Sequence, residues 1–266
     1  MTSPLLIERS GDVETWTLNL PSERNPMSGG GMVDALAEAA ERVNRDATVR
    51  AVIVTGAGAV FSAGGNVRDM VERTGLFAGG AHQIRTAYRD GIQRIPRAFY
   101  ACEVPLIAAV NGAAVGGGCD LAMMCDIRIA ARSASFAESH VKLAAIAGDG
   151  GAWFLQRAIN AEHAAEMFLT GDRIDAETAL AWGMVSRVVP DDELLSEARA
   201  LADRIAVNPP QAVRASKKLL REARQQSLDA HLELAAAIQA IAHKTDDHAE
   251  AAAAFLERRP PTFTGQ

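Results

Sequence analysis

Apolar and polar residues alternate from the start of the chain. "LLIERS" and "VETWTLNL" flank a Gly-Asp turn, a pattern that predicts a β-hairpin. "PSERNPMSGGG" has the composition of a loop, and "MVDALAEAAERVNRD" then places its apolar residues at helical intervals. "VRAVIVTGAG" and "VPLIAAVNG" are short apolar runs ending in glycine, so they read as buried strands that each feed a loop. Between them the pattern predicts a loop, "AVFSAGGNVRDM", and a long, mostly helical stretch to about Ala101. "GGGCDLAMMCD" reads as a helix opened by glycines, and "IRIAARSASFAES" as two short strands or a hairpin. After about residue 150 the pattern turns helical, interrupted only by the strand-like "VSRVVP", and Asn208-Pro209-Pro210 marks a helix boundary. The layout is an α/β core followed by a helical C-terminal region.

Composition narrows the classes. The chain has 266 residues, 48% apolar and 23% charged, which suits one substantial domain with a smaller appendage. A formal net charge of -6 argues against a nucleic-acid surface or an anionic membrane surface, both of which call for clustered positive charge. Cys102, Cys119 and Cys125 show neither CxxC spacing nor paired histidines, so no metal site and no disulfide framework is expected. Reduced thiols, together with no signal-peptide pattern and no membrane-length apolar run, give the expectation of a cytoplasmic protein.

Two glycine clusters carry the first chemical signal, "TGAGAVFSAGGN" (55–66) and "NGAAVGGGCD" (111–120). The first fails the dinucleotide fingerprint, because Phe61 stands where the third glycine belongs. In the second, three glycines lie at a strand-to-helix turn. Bare N–H groups at a helix N-terminus suit a developing negative oxygen, and close strand–helix packing is the competing reading. Downstream, "ESHVKLAAIAGDGG" sets His140 nine residues before Asp149. That is either a base with its orienting carboxylate or a surface histidine followed by an ordinary turn.

"VPLIAAVNGAAVGGGCDLAMMCDIRIAARSASFAES", "AVFSAGGNVRDM", "EMFLTGDRIDAETALAWGMVSRVVP" and "AAAAFLERRPPTF" resemble, in order, the enoyl-CoA hydratase/isomerase (crotonase) superfamily. The resemblance implies a spiral of ββα units over residues 1–195 and a helical trimerisation region over 196–266, assembling as a homotrimer or a dimer of trimers. It implies an acyl-CoA substrate, with coenzyme A entering as part of the substrate and no separate cofactor. The thioester oxygen would sit between the backbone N–H groups of Gly65 and Gly117. Coenzyme A would contact Arg24, Asn25, Ala63, Asn66 and Arg68, with Phe255 and Arg258 supplied by a neighbouring subunit.

Hydratases of this family hold a water between two glutamates; at those positions this chain has Asp120 and His140. The leading expectation is hydration or dehydration of a 2-enoyl-CoA by His140, Asp149 and Asp120. The alternatives are hydrolysis or retro-Claisen cleavage of a β-dicarbonyl substrate by a His/Asp dyad, and double-bond isomerisation. Glu138 is a further carboxylate available near the pocket, and Trp153 is expected to pack on the core and wall the acyl group.

Overall fold

The structure is a computed structural model that describes residues 3–266, so the first two positions of the 1–195 unit lie outside the described residues. The expected hairpin is present: β1 (Leu5–Ser10) pairs antiparallel with β2 (Val13–Leu18). The remaining strands are β3 (Ala51–Gly56), β4 (Val60–Ser62), β5 (Leu106–Val110), β6 (Ala113–Val115), β7 (Ile127–Ala131), β8 (Ser135–Ala137), β9 (Arg173–Asp175) and β10 (Arg187–Val189). They divide between two sheets. The first runs β1-β2-β3-β5-β7-β10, parallel from β2 onward; the second runs β4-β6-β8-β9. Three passes of the chain, β3–β4, β5–β6 and β7–β8, each give a longer strand to the first sheet and, after a tight turn, a three-residue strand to the second. This alternation is the ββα spiral.

It also explains where the sequence pattern fell short. β4 and β6 lie in stretches that read as loops, because three residues cannot display a period. β7 and β8 do not form a hairpin; β7 pairs parallel with β5, and β8 pairs parallel with β6 in the other sheet.

The helices are α1 (Met32–Arg45), α2 (Val67–Glu72), α3 (Ala81–Ala87), α4 (Arg94–Ala101), α5 (Gly117–Met124), α6 (Gly151–Ala158), α7 (Ala161–Thr170), α8 (Ala176–Ala181), α9 (Leu194–Ala206), α10 (Pro210–Glu222), α11 (Leu228–Ala242) and α12 (Asp246–Glu257). The long helical stretch expected before Ala101 is broken into pieces. A π turn at Tyr88–Ile92 joins α3 to α4, with Gly91 in a non-helical conformation.

Trp16, Phe61, Phe99 and Phe136 are fully buried in the core, and every residue of α5 is buried with them. α9 turns Ala198, Ala202 and Ala206 inward against β3 and β5, so the expected 195/196 boundary falls just inside a helix that covers the sheet. α10 is anchored by two cations. Arg214 donates to the carbonyls of Val43, Asn44 and Asp46 around the C-terminal end of α1, and Lys217 donates to the Val104 carbonyl. α11 is different, since none of its residues is buried. Among the described residues no helix is long and apolar enough to cross a membrane.

Candidate active site

The site is built where the loop after β4 meets the start of α5. A β-carbon on Gly64 would stand 2.5 Å from the Val115 carbonyl oxygen and 2.8 Å from the Gly117 nitrogen. Only bare backbone fits, so the two glycine clusters of the sequence lie against each other. Gly64 is held there by its carbonyl, which accepts from the Met27 N–H at 2.8 Å. Its neighbour Gly65 and the first residue of α5, Gly117, each carry a backbone N–H that donates no hydrogen bond among the described residues. An unbonded N–H at the positive end of a wholly buried helix is a donor prepared for an anionic oxygen. The packing reading of the glycines is seen directly, since Gly64 lies against the Gly117 nitrogen.

Four titratable side chains gather beside these donors. Asp120, in the first turn of α5, and Glu138, just after β8, are completely buried, and Asp149 is 8% exposed. His140 sits in a short 3-10 turn, Ser139–Leu143, with its side chain one-fifth exposed. Its Nε2 lies 3.8 Å from Asp120 Oδ2 and its Nδ1 lies 3.3 Å from Glu138 Oε2. Asp149 is the surprise. No ion pair joins it to His140; its Oδ2 stands 2.9 Å from where a Gly117 β-carbon would be, on the Asp120 side. The expected His140–Asp149 contact gives way to His140–Glu138, because the loop from 144 to 150 carries Asp149 across the mouth of α5. That loop is pinned by Gln93, which donates to the Gly148 carbonyl at 2.8 Å, and the Tyr88 ring packs over Gly148. Gly151 completes the arrangement: a β-carbon there would overlap the Asp120 carboxyl, so the glycine makes room for the acid.

The carboxyl oxygens of Asp120 and Glu138, and Oδ1 of Asp149, are buried with no hydrogen-bond partner in the protein. Such groups cost folding free energy and persist at sites that do chemistry. Burial pushes the Asp120 carboxyl well above the usual carboxylate range, and the nearby charges of Asp149 and Glu138 push it further. Asp120 therefore tends to hold its proton. Burial alone would lower the His140 pKa, but the hydrogen-bonding and charge of Glu138 and the charge of Asp149 outweigh it, and the net shift is upward. Burial and the Asp149 charge raise the Tyr88 phenol as well. The cluster thus offers a retained acid and an imidazole of enhanced basicity within 4 Å.

The residues expected around coenzyme A fall into three groups. Arg24 and Arg68 are exposed, and neither guanidinium is paired among the described residues. Ala63 donates its N–H to the Arg24 carbonyl at 2.9 Å, and Asn66 caps α2 by accepting from the Arg68 N–H, so these four stand along one loop edge. Asn25 is a correction. It is fully buried, and its carboxamide is consumed by the Leu20 N–H and the carbonyls of Ala57, Val60 and Phe61. Its side chain holds the loop shut and has nothing left to offer a ligand. Phe255, 84% exposed, and Arg258 lie at the end of α12, with almost nothing of their own chain against the phenyl ring. Trp153 faces Tyr100 and Phe154 in a cavity of about 710 Å³ that also takes in Met123, Met124 and Cys125 at the C-terminal end of α5.

Comparison with known proteins adds an independent line. Residues 8–266 match the family described as Enoyl-CoA hydratase/isomerase. A probable enoyl-CoA hydratase of Mycobacterium tuberculosis is 38% identical over 260 residues, spanning 98% of this chain and 97% of that one. The 1,2-epoxyphenylacetyl-CoA isomerase of Escherichia coli is 36% identical over 96% of this chain and 95% of its own. Among solved structures, an enoyl-CoA hydratase from Bacillus anthracis superposes with a TM-score of 0.92 at 32% identity, covering 99% of this chain and all of that one.

Proposed function

The chain belongs to the enoyl-CoA hydratase/isomerase family, and from that premise we propose that it hydrates the double bond of a 2-enoyl-CoA. The observation that carries the reading is the pairing of a raised carboxyl, Asp120, with the His140 imidazole 3.8 Å away, beside the free N–H groups of Gly65 and Gly117. The thioester oxygen accepts from those two N–H groups. His140 takes a proton from water as its oxygen attacks the β-carbon, electron density moves onto the thioester oxygen, and the Asp120 carboxyl returns a proton to the α-carbon. An oxyanion-hole donor of this kind contributes about 3 kcal/mol to the transition state. Coenzyme A is part of the substrate in this proposal, steered by Arg24 and Arg68 through its phosphates, and no separate cofactor takes part. The three buried cysteines, all free thiols, support the assignment to the cytoplasm.

The test is direct. Crotonyl-CoA and longer or aromatic 2-enoyl-CoAs are expected to lose their conjugated double bond on adding the folded protein, and no turnover with any of them overturns the proposal. Isomerisation is the second reading. It is favoured by the proximity of Asp120 and Asp149, which allows one carboxyl proton to move between two carbons of the substrate, and conversion of a 3-enoyl-CoA without water uptake would select it. Cleavage of a β-dicarbonyl substrate by a His140–Asp149 dyad lacks geometric support, since the two side chains are turned to different partners.

Residues 196–266 serve, in the same proposal, as the oligomerisation region of a homotrimer or a dimer of trimers. Two complementary features support this. α11 exposes Leu228, Leu232 and Ile241 with no residue buried, and the 710 Å³ apolar cavity beside α10 lies open to a partner. Light scattering on dilute protein is expected to return a multiple of three chains; a folded monomer would exclude the assembly.

A further inference from the structure

We propose that Glu138 is the positioning residue of His140, taking the Nδ1–H of the ring and leaving Nε2 as the proton-accepting atom. The inference rests on the hydratase reading for its catalytic meaning, although its geometry stands apart from that reading. The two ring nitrogens face different chemistry. Nδ1 and Glu138 Oε2 lie 3.3 Å apart, both buried and neither in a formed hydrogen bond, so each faces the group at hand to satisfy it, while Nε2 lies 3.8 Å from Asp120 and 3.3 Å from a β-carbon placed on Gly116. Nε2 therefore faces the start of α5, and Nδ1 faces Glu138.

Among the described residues Glu138 is the carboxylate in ion-pair contact with Nδ1. Asp120 faces Nε2, and Asp149 acts on the ring through its charge, without contact. Lys142, on the same turn, is drawn outward to Asp172 at 2.7 Å. Cys119, buried against Glu138, has its thiol raised by burial and by that carboxylate, so it stays neutral. Among the described residues, His140 is the cationic side chain in ion-pair contact with the buried Glu138. A carboxylate on Nδ1 fixes the tautomer in which Nε2 carries the lone pair and stabilises the imidazolium formed when Nε2 takes a proton.

The experiment is an NMR titration of the His140 ring, assigned by comparison with the spectrum of H140Q, in the full-length protein and in Glu138→Gln and Asp149→Asn. Removing a counter-charge in contact is expected to lower the His140 midpoint by about one unit or more in E138Q. In D149N the midpoint moves less. The rising limb of kcat/KM against pH shifts down with it in E138Q, kcat falls, and KM stays close to its original value. An unmoved midpoint in folded E138Q overturns the assignment, as does a larger shift in D149N than in E138Q. Should E138Q fail to fold, E138D keeps the charge one methylene further back; a midpoint lowered by a smaller amount supports the assignment and an unchanged one overturns it. The titration needs no substrate. A shifted midpoint in a protein that turns over no enoyl-CoA leaves the Glu138 assignment standing and sinks the functional reading alone.

Discussion

Replacement of His140 by alanine is expected to lower kcat for enoyl-CoA hydration by ~10²–10⁴-fold, the usual contribution of a positioned general acid–base group. Binding of a CoA thioester should survive, because the proposed contacts at Arg24, Arg68 and the two glycine N–H groups do not involve the ring. The same substitution carries a stability signature with a definite sign. The folded pKa of His140 is raised above its ordinary value of 6.5. The stabilisation from the charged ring is therefore fully present below that value and fades as pH rises through the folded pKa. H140A should accordingly destabilise the protein most on the acid side and least above the folded pKa, in thermal melts run across that window. An unchanged kcat would return His140 to the status of a loop residue with an incidental carboxylate beside it. A destabilisation that grew with pH would mean that the ring is not held as a cation by Glu138.

Much of this arrangement is legible in the sequence. The hairpin, the buried strands β3 and β5 and the glycine-opened helix α5 follow from alternation, β-branching and the punctuation of glycine. The positions of Gly65, Gly117, Asp120 and His140 came from the motifs, and the structure gathers them at one helix end. What stayed hidden depended on short elements and long-range approach. β4, β6 and β9 have three residues each and show no period of their own. The role of Asn25 as a fully buried clamp could not be read from a polar loop, because its partners Ala57, Val60 and Phe61 lie more than thirty positions away. Glu138 left one usable trace. In "SFAES", residues two apart share a face, so Glu138 follows the buried Phe136 inward as β8 ends. A carboxylate carried inward on a core-facing parity was a stronger sign of a site than the nine-residue spacing to Asp149.

Asp120→Asn is expected to remove activity and raise stability together. The Asp120 carboxyl is fully buried, makes no hydrogen bond in the protein and lies among Asp149 and Glu138, so its ionised form is disfavoured on every side. Its folded pKa stands well above its ordinary 3.8. The sign follows. The wild-type protein has the full benefit of the protonated group below the unfolded pKa and loses it as pH rises through the folded pKa. Asparagine keeps nearly the same shape and never ionises, so the stability gap between D120N and wild type should widen in favour of the variant as pH increases. Activity moves the other way. Without a carboxyl to return the proton to the α-carbon, kcat should fall by ~10²–10⁴-fold. In the wild type kcat/KM should climb as His140 loses its proton and decline once Asp120 loses its own; in D120N the residual activity should keep the rising limb and lack the falling one. Thermal melts and enoyl-CoA kinetics over the same pH range read both effects. A variant less stable than wild type at alkaline pH would mean that Asp120 is ionised and satisfied in the folded protein. The proton for the α-carbon would then have to come from another group, and the Asp149 carboxyl, set against the Gly117 turn, is the one placed to supply it.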